Sequence, residues 1–301
     1  MFKSLVISEL LKEGLVNQEI LSFEAVKGGT LSSIYLLSDI INQKYIVKVN
    51  KPTVLKAESF FLEKYNHLDI TADLLYKEKD FKYIVYSYIK GNVRTQKPSK
   101  KEVLRIIVEQ LINNYEIIDV QAGWGWVENR RDSWKQFLMD WIIEADSWIL
   151  SSIPKKDKEL IYQLIMSPRR WMSSKDAYLL HGDCGMHNVI VEQNQVLGLI
   201  DPMPIVGYPI YDLIYAFCST PESLTKEIIK HAASYLEIGE KIDDEILFEE
   251  VLIGLYCRIA RCIKHHPNDL PAYLYWWDYW IGIVRENKRD GSSRLFEHLL
   301  L

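Results

Sequence analysis

His181-Gly182-Asp183-Cys184-Gly185-Met186-His187-Asn188, followed at a distance by Ile200-Asp201-Pro202, gathers the side-chain types of phosphoryl transfer into one short stretch. Asn188 lies five residues after Asp183, and Asp201 eighteen after it. Two apolar runs, Val189-Ile190-Val191 and Val196-Leu197-Gly198-Leu199-Ile200, fill most of the gap, with Gln193-Asn194-Gln195 between them. Two strand-like runs around a polar turn read as a hairpin. A hairpin carries its ends back together, so Asn188 and Asp201 can converge on one metal ion while Asp183 projects from the preceding loop toward a second substrate. Oxygen ligands for Mg²⁺ and a carboxylate that orients or deprotonates a hydroxyl are what transfer from ATP requires. Taken singly, an Asp and an Asn on a loop more often serve turn geometry. Their conjunction with His181-Gly182 in front and Asp201 after an apolar strand points to a kinase active site.

The segment from His181 to Leu213 resembles the aminoglycoside phosphotransferase and choline kinase superfamily, whose loop runs HGD-x4-N and then I-D-[FWP]. Here it continues as Gly207-Tyr208-Pro209-Ile210-Tyr211-Asp212-Leu213, similar to that family's G-D-P-x-x-D-L. The resemblance implies Asp183 as catalytic base, Asn188 and Asp201 as Mg²⁺ ligands, Asp212 as a structural brace for the loop, and His181 as a buttress of its backbone. Tyr208 departs from the family's Asp, which puts the local bracing in question, and Cys184 stands where a bulky apolar residue is usual. Neither departure removes the base or a metal ligand.

Upstream, residues near Ser8 to Leu21 read as helix and Phe23 to Val49 as three strands. Gly28 and Gly29 fall in the first turn, where a glycine pair lets backbone N–H groups approach phosphates, although the same pair makes an ordinary hairpin turn. Lys48 ends an apolar strand, and an inward lysine calls for an anionic partner. Glu58, ten residues later at the expected start of a helix, can supply it, with Glu63 as the rival. Kinase-like folds use such a pair on the α- and β-phosphates. Tyr83 to Gly91 reads as an apolar strand; the resemblance makes it the hinge that meets adenine, near Tyr88 and Ile89, and the alternative is an edge strand leading to a turn.

Beyond Gly91 helical periods take over. Val103, Leu104, Ile107, Val108, Leu111, Tyr115 and Ile118 predict one helix of about five turns. A loop, Gly123-Trp124-Gly125-Trp126, leads to Ser133 as N-cap of a Trp-led helix. Ile246 to Ile263 forms a third apolar stripe. A strand-rich front and a helical back predict an α+β, bilobal, protein-kinase-like fold: residues 1–92 as nucleotide-binding lobe and 93–301 as catalytic and substrate-binding lobe.

The Gly-Trp-Gly-Trp stretch and Trp134-Lys135-Gln136-Phe137-Leu138 are similar to hygromycin-type phosphotransferases, which implies an antibiotic- or sugar-like hydroxyl acceptor; aromatic stripes also serve as packing. Trp276, Trp277 and Trp280 could contribute to a choline cage, and Asp140, Glu144, Asp146, Asp243, Asp244, Glu249 and Glu250 to a polycation site, or to a solvated helix face. The chain has 301 residues and a net charge of −5, a balance that argues against a nucleic-acid backbone as partner. It holds no run of eighteen apolar residues, begins as an amphipathic helix rather than a signal peptide, and has four cysteines, which suit reduced thiols in the cytoplasm. Cys257, Cys262, His265 and His266 miss the common zinc spacings. The expected activity is an O-phosphotransferase using ATP or GTP with Mg²⁺ on a small hydroxylated acceptor. A metabolic kinase of choline, homoserine or a sugar, and a catalytically silent nucleotide-binding module, are the alternatives; acceptor and oligomeric state are left open.

Overall fold

The computed structural model describes all residues except 1, 17–19, 27–31, 94–97, 172–175, 240 and 299–301. In chain order the first elements are α1 (Phe2–Lys12), β1 (Ile20–Val26), β2 (Ser33–Asp39), β3 (Lys44–Val49), α2 (Pro52–Lys64), β4 (Leu74–Lys77) and β5 (Ile84–Ser87). There follow α3 (Lys100–Gln110), β6 (Trp124–Trp126), β7 (Asn129–Arg131), α4 (Trp134–Ile149), α5 (Lys155–Met166) and β8 (Tyr178–Leu180). The chain continues through β9 (Val189–Glu192), β10 (Gln195–Leu199), β11 (Ile205–Gly207), α6 (Ile210–Cys218), α7 (Lys226–Ala233), α8 (Asp244–His265) and α9 (Leu270–His298). They form two compact units: Met1–Pro98 with His187–Pro204, and Ser99–Met186 with Ile205–Leu301.

The first unit is built on an antiparallel sheet in the order β1-β2-β3-β5-β4. Its core gathers Val6, Leu10 and Val16 with Leu37, Val47, Tyr83 and Val85, so the apolar stripe of α1 covers one sheet face. The three expected strands up to Val49 are present, but the helix before them runs over Phe2–Lys12 rather than Ser8 to Leu21, and β1 already begins at Ile20. Gly14, with φ of +67°, follows the last turn and suits a helix end. The Gly28-Gly29 turn lies outside the described residues. Strand β5 is interior, paired on both sides, so the edge-strand alternative does not hold. Pro52 occupies the first turn of α2, where its missing N–H costs nothing; Glu58 therefore sits in the middle of that helix, not at its start.

The β9/β10 hairpin belongs to this unit and turns at Gln193 and Asn194, both with positive φ. Backbone bonds anchor it: Asn92 and Val191 exchange N–H···O contacts of 3.0 and 3.2 Å, and Leu199 N–H donates to the Ile70 carbonyl at 2.8 Å. Gly91 makes the first anchor possible. Its φ is +129°, and a Cβ there would lie 2.8 Å from the Val191 carbonyl oxygen.

The second unit is larger and mainly helical, with a small antiparallel sheet in the order β7-β6-β11-β8. Ser99, Ser133 and Asp243 cap α3, α4 and α8 by accepting from the N–H three residues on. Two expectations fail here. The helix foreseen to Ile118 ends at Gln110 and passes into a 3-10 turn over Ile112–Asn114, which releases Tyr115 from the helical stripe. The Gly-Trp-Gly-Trp loop is in fact strand β6 and its approach, and its rings pack. Trp124 meets Tyr208 at 5.2 Å, and Trp134 meets Phe137 and Tyr208 at 4.9 and 5.6 Å. Tyr208 thus has a packing role. Among the described residues no helix is long and apolar enough to cross a membrane, and the four cysteines are unpaired.

Candidate active site

In the first unit the site begins with strand alternation. Lys48 on β3 turns inward and is only 2 % exposed. Its ammonium lies 2.7 Å from Glu58 on α2 and 2.5 Å from Asp201, which follows β10. Glu63, the rival, pairs instead with exposed Lys77 at 2.5 Å. Burial works against the Lys48 charge, but Glu58 and Asp201 outweigh it and hold the ammonium more firmly than usual. One ammonium between two carboxylates leaves an excess negative charge. Burial, only partly offset by Lys48, pushes the Glu58 carboxyl up to about 7. Tyr86 on β5 stands beside this group, and burial raises its phenol, so it remains neutral.

Asn188 and Asp201 flank the hairpin, and the bond from Ile200 N–H to the Asn188 carbonyl, 3.0 Å, closes its base. Asn188 is buried, whereas the Asp201 side chain is 40 % exposed and its backbone has φ of +62°. A non-glycine residue with positive φ is uncommon and costs of order 1 kcal/mol. The backbone aims Asp201 at Lys48 at that cost. A carboxylate and an amide carbonyl are hard oxygen donors of the kind Mg²⁺ prefers, so the residues present fit such an ion. Tyr88 and Ile89 follow β5: Tyr88 lies under the Lys44 ammonium at 5.5 Å, and Ile89 packs over Gly198 of β10.

In the second unit the Asp183 loop is held from below. Asp212, fully buried in the first turn of α6, accepts from Tyr115 Oη at 2.5 Å, His181 N–H at 2.9 Å and Gly182 N–H at 3.0 Å. Burial nevertheless outweighs these bonds and pushes its carboxyl up to about 6. His181 is buried, and its Nδ1 accepts from the Asp183 N–H at 3.2 Å, so that nitrogen carries no proton. Cys184 fills the space beneath, 3.7 Å from Tyr115 Oη, and burial raises its thiol far above the ordinary range.

Three participants escape sequence reasoning. Tyr115 belongs to an apparent helical stripe. Tyr215, one turn after Asp212 on α6, bonds Asp183 through its hydroxyl, and burial and that carboxylate keep its proton in place. Arg261 on α8 donates to Tyr215 Oη at 2.9 Å and stacks on Trp141 at 4.5 Å. Only the i, i+3 spacing of Asp212 and Tyr215 could have hinted at the second; Arg261 leaves no local trace.

A pocket of about 60 Å³ opens in this unit, lined among others by Trp141, Tyr211, Tyr215, Ile253, Cys257 and Arg261. Most of the substrate features foreseen elsewhere have other partners, while Glu144 stands exposed on α4. Trp277 and Trp280 are buried, donating to Asp157 and to the Leu224 carbonyl, so the three indoles form no cage. Asp140 pairs with Arg131, Asp244 with Lys230 and Glu250 with Arg170; Asp146 accepts from Tyr162 and Tyr256, and Asp243 is a helix cap.

The fold is protein-kinase-like, similar to that of solved aminoglycoside phosphotransferases and a choline kinase. The choline kinase LicA from Streptococcus pneumoniae is similar at a TM-score of 0.58 and 17% identity, over 95% of this chain and 100% of that one. The kanamycin and GDP complex of APH(2")-IIIa gives a TM-score of 0.59 and 13% identity, over 95% and 99%. A thermostable aminoglycoside phosphotransferase APH(4)-Ia, in complex with AMP-PNP and hygromycin B, gives 0.58 and 14%, over 90% and 98%. No family profile and no curated protein sequence matches the chain.

Proposed function

We propose that this protein is an ATP- and Mg²⁺-dependent O-phosphotransferase acting on a small hydroxylated molecule. The observation that carries the reading is the buried Lys48, held between Glu58 at 2.7 Å and Asp201 at 2.5 Å. Replacing a buried ion pair by well-packed apolar residues is often neutral or stabilising; a buried ammonium shared by two carboxylates is better explained by a phosphate that it must meet. The fold's relatives named above, in complexes with GDP, AMP-PNP and aminoglycosides, support the same class.

In this reading Lys48 binds the α- and β-phosphates, and Glu58 keeps the ammonium oriented. Backbone near Tyr88 and Ile89 receives adenine or guanine. Asn188 and Asp201 would hold Mg²⁺, which would supply positive charge against the phosphates. Asp183 directs the acceptor hydroxyl and takes its proton. The acceptor oxygen forms the new bond to the γ-phosphorus, the bond to the β,γ-bridging oxygen breaks, and the nucleoside diphosphate leaves with that electron pair. Asp212 and His181 position Asp183 by holding the loop backbone, and the Tyr215 hydroxyl fixes the carboxylate's direction.

Phosphate transfer from Mg-ATP across a panel of hydroxylated acceptors, read by mass spectrometry, tests this. Product with the wild type and none with Asp183→Ala supports it. Failure of the wild type to bind Mg-ATP at all overturns it, and tight Mg-ATP binding without transfer to any acceptor or water favours the silent nucleotide-binding module.

A further inference from the structure

The pocket lined by Tyr215, the hydroxyl partner of Asp183, carries two arginines on its wall. Its wall is apolar and aromatic, from Leu138, Trp141, Ile253 and the ring of Tyr211, and its cations are Arg258 and Arg261. Neither arginine has a carboxylate within ion-pair distance among the described residues. Arg258 donates through Nε to Tyr273 Oη at 2.9 Å, and Arg261 donates through Nη1 to Tyr215 Oη at 2.9 Å. Glu250, the carboxylate on this wall, is tied to buried Arg170 at 2.8 Å, with Glu249 on the far side at 3.7 Å. Asp183 lies behind the Tyr215 hydroxyl, which it engages.

Both guanidinium groups are half-buried, and each spends one of its five N–H donors on a tyrosine hydroxyl. Arg261 is also fixed in plane by its stack on Trp141, 4.5 Å from the ring centroid, so its fork is pre-set for a planar bidentate acceptor. A second buried group points the same way: Tyr211 Oη has no hydrogen-bond partner among the described residues. All three side chains line the same pocket.

We infer that the acceptor of this enzyme is a hydroxyl compound bearing an anionic group, a carboxylate or a phosphate-type oxyanion, which Arg261 receives with help from Arg258 and Tyr211 while its planar or apolar body lies against Trp141 and Ile253. The inference rests on the phosphotransferase reading for the word acceptor, but the pocket's charge preference stands by itself.

The test uses four probes of one shape on the full chain: 4-(hydroxymethyl)benzoate, 4-(hydroxymethyl)phenylphosphonate, the neutral 4-(hydroxymethyl)benzamide and the cationic 4-(aminomethyl)benzyl alcohol. Binding is read by titration calorimetry and quenching of tryptophan fluorescence, with Mg-ATP binding measured on the same preparation. The anionic probes are expected to bind roughly ten- to a hundredfold more tightly than the amide, the scale of one or two charge-assisted hydrogen bonds. The cation is expected to bind more weakly still. Arg261→Met should erase the preference, and Arg261→Lys should restore part of it for the phosphonate more than for the carboxylate, because a point charge replaces the fork. The comparison between those two probes separates the two oxyanion sources. Equal binding of all four probes, tighter binding of the cation, or no binding of any overturns the inference. A preference that survives in a folded Arg261→Met, judged by its circular dichroism, does so too. Loss of Mg-ATP binding with the anion preference intact would instead remove the kinase reading and leave the pocket assignment standing.

Discussion

Asp212 gives the sharpest physical test, because two opposing effects act on one carboxyl. Four donors favour its charged form: Tyr115 Oη, the Cys184 thiol and the His181 and Gly182 N–H groups. Burial disfavours it and wins, pushing the group up from 3.8 to about 6. A raised carboxyl pKa means that the folded state binds the proton more tightly than the unfolded chain. The stability from this group is therefore complete below about pH 3.8 and is lost as pH rises through about 6. The interval of about 2 pH units corresponds to ~3 kcal/mol. In a chain of this size that is an upper limit of roughly 6–12 °C in Tm, at about 2–4 °C per kcal/mol. Asp212→Asn removes the titration while nearly preserving shape, at the cost of turning one acceptor into a donor against the loop. The assay is differential scanning fluorimetry of both proteins from pH 4 to pH 7. Glu58 titrates in an overlapping window but is present in both proteins, so it cancels in the difference. The wild type should lose ground to the variant as pH rises, and the variant should show weakened turnover at every pH because Gly182 or His181 N–H loses its acceptor. A Tm difference independent of pH, or a wild type that gains on the variant with rising pH, would show that the hydrogen bonds outweigh burial and refute the reasoning.

Three further outcomes are expected. Lys48→Met should weaken Mg-ATP binding by about ten- to a hundredfold, the scale of lost charge-assisted bonds, whereas Lys77→Met, which breaks an exposed pair with Glu63, should leave calorimetric affinity unchanged. Asp183→Ala should keep nucleotide affinity and lower kcat by ~10²–10⁴, while Asp201→Ala should weaken metal-nucleotide binding; equal Mg-ATP affinity in the two variants would argue against this division of roles. Gly207→Ala would put a Cβ 2.4 Å from the Trp134 ring, so overpacking should destabilise the second unit by about 1–3 kcal/mol, and an unchanged denaturant midpoint would show that the ring moves aside freely.

Local chemistry made much of this protein readable in one dimension. The β9/β10 hairpin follows from two apolar runs around Gln193 and Asn194, because strand pairing and a two-residue turn are short-range events. Lys48 could be singled out because an apolar strand ending in lysine is a local contradiction; α4 announced itself by period and cap, and α8 by its period. The first helix was misplaced and the third drawn too long for the same reason: apolar periodicity continues past a helix end when the following residues are buried by something else. Tyr115 is the clearest case. It keeps the helical spacing yet leaves the helix to reach Asp212, 97 residues away in sequence.

What only the tertiary structure decided concerns partners that no sequence window contains. Glu58 rather than Glu63 meets Lys48 because the rotation of α2 on the sheet turns one inward and leaves the other to Lys77. The aromatic stretches near Trp124 and Trp277 proved to be packing, since an indole in a core and an indole in a cage have the same spacing. Arg261 and Tyr215 reach Asp183 by way of two helices, α8 and α6, whose face-to-face packing is settled by burial of their whole apolar stripes. Sequence by itself determined the chemistry available along each element. The fold alone determined which charges those elements leave facing one another, because burial converts a long-range pairing into a strong one.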